Sequence, residues 1–131
     1  MAVGAFLLIS GRPRILAHAP QGDVQEIEVT AKKYEFIPAE IHVKKGAHVR
    51  LKITATDHDH GIDINTIAEG ADKKSEPGLH FDTPKAVFKL PENAMQQIEF
   101  VAEKPGTYAF KCAVFCGMGH RGMKGQIVVD P

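Results

Sequence analysis

Twelve consecutive residues carry most of the chemistry this chain can offer: Cys112-Ala113-Val114-Phe115-Cys116-Gly117-Met118-Gly119-His120-Arg121-Gly122-Met123. The skeleton is C-x3-C-x3-H-x2-M. Thiolate and thioether sulfur favour copper, and imidazole suits it as well. Gly117, Gly119 and Gly122 allow the sharp backbone turns that would close such a stretch around one point. Two blander readings compete. Two Cys and two His could hold zinc, but structural zinc sites usually use C-x2-C pairs, and Met123 would then have no role. Cys112 and Cys116 could also form a disulfide in an exported protein. A further donor must come from outside the stretch. Thr56-Asp57-His58-Asp59-His60-Gly61 offers His60 or His58.

The surrounding sequence must position these groups. Gln25 to Thr30, Glu40 to Val43 and Gln97 to Val101 alternate polar and apolar residues with the period of a half-buried strand. Val49, Leu51, Ile53 and Ala55 would face one way, against Arg50, Lys52 and Thr54. Ile62 to Ile64, Ala86 to Leu90, Thr107 to Cys112 and Gln126 to Val129 complete a set of about eight short strands. Lys45-Gly46, Pro91 and Pro105-Gly106 punctuate them. No helical stripe of any length is present, so the pattern predicts an all-β antiparallel sandwich or barrel. Residues 66–85 read as one long loop that could include a short helix. Cys112 ends one predicted strand, and Gln126 begins the next. The Cys-rich stretch is thus a loop at one pole of the sandwich, and the end of the strand from Val49 can sit beside it.

Sixteen basic residues balance sixteen acidic ones in 131 residues, and 44% of the chain is apolar. One domain with a real core fits these values; a nucleic-acid binder or a disordered tail does not. The apolar run Ala2 to Ile9 and the small-x-small triplet Ala17-His18-Ala19 give residues 1–23 the look of a signal, a membrane-anchor remnant or a plain extension. The run alone is too short to span a bilayer. Residues 24–131 read as the folded domain.

From Tyr34 to Pro131 the chain resembles a cupredoxin, and more narrowly the binuclear copper A domain of cytochrome oxidase subunit II and of nitrous oxide reductase. The resemblance rests on Asp57-His58-Asp59-His60-Gly61 followed by C-x3-C-x3-H-x2-M. Tyr34-x-Phe36-x-Pro38, Lys45-Gly46 and Pro105-Gly106-x-x-Tyr108 add to it. It implies a cupredoxin-like Greek-key sandwich or barrel. It further implies two copper ions bridged by Cys112 and Cys116, with His60 and His120 on one copper each. Met123 and the backbone carbonyl of Val114 would be the weak axial ligands. Electron transfer follows, with a cytochrome c or an oxidase or reductase subunit as partner, and the signal-like N-terminus points to a periplasmic or other extracytoplasmic setting. Membrane association would come through a partner or a lost anchor. Two departures stand out. Val114 occupies a place where oxidases commonly carry a Glu, and the chain has no Trp. A periplasmic Cu(I) carrier and a mononuclear cupredoxin are the alternatives. No catalytic triad is visible, so the chain reads as an electron-transfer domain rather than an enzyme.

The remaining candidates have plainer readings. His58 is a solvated loop histidine, or else an outer partner or substitute ligand. His42 and His48 are surface or satisfied histidines, and His80 belongs to the long loop. Met118 packs. Val114 and Phe115 pack inside or form a docking patch. Tyr108 and Phe110 are core residues. Asp57, Asp59 and Asp63 form a solvated edge or an acidic docking rim.

Overall fold

The computed structural model describes residues 24–113 and 122–131. Among these residues, ten strands form two five-stranded sheets. In chain order they are β1 (Val24–Lys32), β2 (Glu35–Ile37), β3 (Glu40–Lys44), β4 (His48–Ala55), β5 (His60–Ile64), β6 (Leu79–Phe81), β7 (Val87–Leu90), β8 (Gln96–Ala102), β9 (Gly106–Lys111) and β10 (Lys124–Asp130). The first sheet runs β2-β1-β4-β8-β6 and the second β3-β10-β9-β5-β7. Among the described residues no helix is long and apolar enough to cross a membrane.

The alternation seen in the sequence sets the layers. On β4, Val49, Leu51, Ile53 and Ala55 are fully buried, while the residues between them are half-exposed. Ile98, Phe100 and Ala102 of β8 join them from the same sheet. Ile41 and Val43 of β3, Ile62 and Ile64 of β5, Tyr108 and Phe110 of β9, and Ile127 and Val129 of β10 close the core from the other. Period-two burial on both inner faces is the signature of a sandwich. Phe36 meets Phe110 edge to face, with ring centroids 5.1 Å apart, and so links the sheets.

Two features differ from the sequence expectation. The strands β2 and β6, each of three residues, escaped the pattern because so short a run shows no period. The second of them interrupts the long loop over 66–85, which holds no helix. The sheets are also mixed rather than antiparallel throughout. Strand β1 runs parallel to β4 from Val24↔His48 to Ala31↔Ala55, and β10 runs parallel to β3. Strands that lie next to each other in space without being joined by a tight turn are free to be parallel, and local sequence does not encode that choice.

Candidate metal centre

Strand pairing builds one pole of the sandwich. Strands β5 and β9 are antiparallel, with Ile64 opposite Phe110 and Asp63 opposite Lys111. Two residues further along each strand, the Ala113 N–H donates to the Gly61 carbonyl at 3.2 Å. The inward residues of β5 are His60, Ile62 and Ile64; those of β9 are Tyr108 and Phe110, with Cys112 continuing the series. His60 and Cys112 therefore meet on the same inner face. His60 Nδ1 lies 4.0 Å from Cys112 Sγ. The Cys112 N–H donates to the Met123 carbonyl at 2.9 Å, which fixes the two ends of the intervening loop side by side. All three side chains are buried: His60 and Cys112 are 2% exposed and Met123 0%. Val114, Cys116 and His120, with Phe115 and Met118, lie outside the described residues.

A carboxylate orients the histidine. His60 Nε2 donates to Asp57 Oδ1 at 2.7 Å. With the proton on Nε2, Nδ1 keeps its lone pair, and that is the atom facing sulfur. Asp57 is itself held in place. Its Oδ2 accepts the Lys33 N–H at 2.6 Å and its Oδ1 the His58 N–H at 2.9 Å. Partial burial pushes its carboxyl up, but the Lys33 N–H and the His60 ring outweigh that and hold it at about 2. Asp59 Oδ1 accepts the Glu92 N–H, which ties the loop after β7 to the same segment. Asp57 and Asp59 are thus backbone acceptors that shape the pole, a role that sequence reasoning missed. The D-x-x-H spacing was the available signal for the Asp57–His60 contact.

The donor chemistry fits a soft metal ion. An imidazole nitrogen and a sulfur 4.0 Å apart can both reach one ion, since metal–nitrogen and metal–sulfur bonds sum to about 4.4 Å. His60 is the only buried polar side chain among the described residues of the core. A His, a Cys and a Met at one buried pole make a mixed nitrogen–sulfur donor set, the kind that suits copper.

Among the described residues, three other histidines stand apart from this group. His42 Nε2 is 2.6 Å from Glu40 Oε2, His48 Nε2 is 2.7 Å from Glu99 Oε1, and His80 Nε2 is 2.5 Å from Glu103 Oε1. His42 and His80 are exposed and His48 half-buried. His58 is different: its ring stacks on His60, with centroids 4.2 Å apart.

A two-sheet β-sandwich with a nitrogen–sulfur donor cluster at one pole defines the class. The chain belongs to the family of cupredoxin-like domains, whose family model matches residues 1–129. It is 30% identical over 105 residues to cytochrome c oxidase subunit 2 of Thermus thermophilus, covering 79% of this chain and 64% of that protein. A second Thermus thermophilus subunit 2, equally similar, is covered over 51% of its length, so the chain spans between half and two thirds of these relatives. Among solved structures, auracyanin of Roseiflexus castenholzii is similar with a TM-score of 0.57 and 26% identity, over 84% of this chain and all of that one. The periplasmic domain of cytochrome oxidase subunit II of Bradyrhizobium japonicum shares the fold, with a TM-score of 0.58 and 16% identity over 80% of this chain and 83% of its own.

Proposed function

We propose that the chain is a copper-binding electron-transfer domain with a binuclear copper A site, formed by His60, Cys112, Cys116, His120, Met123 and the Val114 carbonyl. The observation that carries this reading is the buried pair of His60 Nδ1 and Cys112 Sγ, 4.0 Å apart at the pole from which the C-x3-C-x3-H-x2-M loop departs. The likeness to cytochrome c oxidase subunit 2 supports it. When bound, copper supplies a one-electron couple shared over the two ions.

The chain's own residues hold that centre still. Asp57 keeps the proton on His60 Nε2 and leaves Nδ1 as the donor atom. The Cys112–Met123 backbone bond clamps the loop ends. Ile62, Leu90, Phe110 and Ile127 are buried in the core that carries the site, and an apolar surround of this kind tunes a redox potential by excluding water. Fixed donors keep the reorganisation between redox states small.

Residues 24–131 would be the copper domain, with residues 1–23 an extension or a signal- or anchor-like segment. An extracytoplasmic setting and a redox partner such as a cytochrome c or an oxidase subunit follow from the same reading. Copper stoichiometry and EPR on protein reconstituted with reduced cysteines test it. Two coppers per chain, with hyperfine splitting spread over both nuclei, are expected. One copper with a mononuclear spectrum would turn the reading to a simple cupredoxin. Silent Cu(I) that a chelator strips easily would turn it to a copper carrier.

A further inference from the structure

Beside the His60–Cys112 pair, one histidine has an unused nitrogen. His58 Nδ1 lies 2.7 Å from the Asp59 carbonyl oxygen. A carbonyl only accepts, so Nδ1 carries the proton and the neutral ring leaves a lone pair on Nε2. That Nε2 is buried and has no hydrogen-bond partner. A buried acceptor without a partner is costly, and native structures rarely keep one without a reason.

Asp57 has capacity to spare at the same place. A carboxylate offers about four lone-pair sites. Oδ1 takes the N–H groups of His60 Nε2 and His58, and Oδ2 takes that of Lys33. One site on Oδ2 remains. One potential ligand atom from each of Asp57, His58 and His60 lies within 4.8 Å of the others. His60 is already committed through both nitrogens, one towards Asp57 and the other towards Cys112. The spare donors are therefore one imidazole nitrogen and one carboxylate oxygen, and the Asp57 residue is exposed to solvent.

We propose that Asp57 and His58 form a second, outer metal site, which takes a borderline divalent ion such as Zn2+ or Cu2+ through His58 Nε2 and Asp57 Oδ2. The ion satisfies the orphaned nitrogen, and water completes its coordination. The donor class separates the two sites. Nitrogen and oxygen suit a divalent ion, whereas the sulfur-rich inner site suits copper in its softer state. The outer site does not need the binuclear centre to exist.

The test uses the full chain with Cys112→Ser and Cys116→Ser, in which no thiolate-bridged centre can form. Its outcome is thus separate from that of the copper A reading. Zn2+ is titrated by calorimetry, and the imidazole nitrogens are followed by 15N NMR. One equivalent of Zn2+ should bind and move His58 Nε2. Adding His58→Gln should weaken binding by about tenfold or more, and Asp57→Asn should weaken it as well. Three results would overturn the proposal: no Zn2+ uptake, unchanged affinity in the His58→Gln chain, or a Zn2+-induced shift confined to His60 or His120.

Discussion

The carboxylate–histidine–sulfur sequence Asp57, His60, Cys112 concentrates the site's demands on a few atoms. His60 is 2% exposed and its Nε2 proton goes to Asp57, so its donor atom is chosen before any metal arrives. Met123 is buried as well; as a ligand it would bring only a weak thioether, and so would adjust the proposed site without dismantling it. Under the copper A reading, Met123→Leu keeps nearly the same volume and should cost less than about 1.5 kcal/mol of stability. Removing a weak donor disfavours the more oxidised state, so the reduction potential should rise while the binuclear spectrum is kept. Protein-film voltammetry and EPR on the variant check both halves. An unchanged potential would mean that the thioether is packing rather than ligation.

The strands explain what the sequence disclosed and what it withheld. Gly125, in β10, lies where any Cβ would collide with the Ala39 carbonyl and the Phe110 ring. Phe110 cannot retreat, because Phe36 packs edge-on against it. Gly125→Ala should therefore destabilise the fold by about 1–3 kcal/mol, measured by urea unfolding. A glycine in a strand looks like mere weakness in the sequence; only the neighbouring backbone shows its purpose. The inner faces were legible, because Val49-Leu51-Ile53-Ala55 and Tyr108-Phe110-Cys112 carry a period-two signal that survives into burial. The parallel pairings of β1 with β4 and of β10 with β3 were not, because they depend on which strands meet across the molecule. In the site, the spacing of His60, Cys112 and Met123 was readable, whereas the work of Asp57 and Asp59 as backbone acceptors depends on loops distant in sequence. The outer face of the first sheet supplies another element-level consequence. Glu26, Arg50 and Glu99 are register partners across β1, β4 and β8, with Lys52 and His48 beside them. The Arg50 bond holds the Glu26 carboxyl below its usual range, and the His48 bond does the same for Glu99. Carboxylates lowered by folding stabilise the native state above their unfolded value of about 4.3, and that contribution is lost as pH falls through the lowered folded values. The Tm should therefore drop as the pH falls from about 5 to about 3. Glu99→Gln should make the drop shallower, and high salt should blunt it in the unsubstituted chain.

At the scale of the whole molecule, the proposed copper site would join two unequal contributions. Cys112, Cys116, His120 and Met123 fall within one twelve-residue stretch, while His60 is 52 residues before Cys112. The stretch retains its donors when the chain unfolds; His60 reaches Cys112 only when β5 pairs with β9. Metal stabilises a fold only by the excess of its affinity for the native state over the unfolded one. Copper binding to the reduced protein should therefore raise the Tm by less than its full affinity implies, and most of the rise should belong to the donor that folding brings in. For a ligand at a thousandfold its Kd and no affinity for the unfolded chain, the stabilisation would be about 4 kcal/mol. The observed gain should fall short of that and shrink sharply in His60→Gln. Differential scanning calorimetry with and without copper, in both chains, measures the difference. If His60→Gln gains as much from copper as the unsubstituted protein, then His60 is no ligand. The fold would then serve only to display a loop that binds copper on its own.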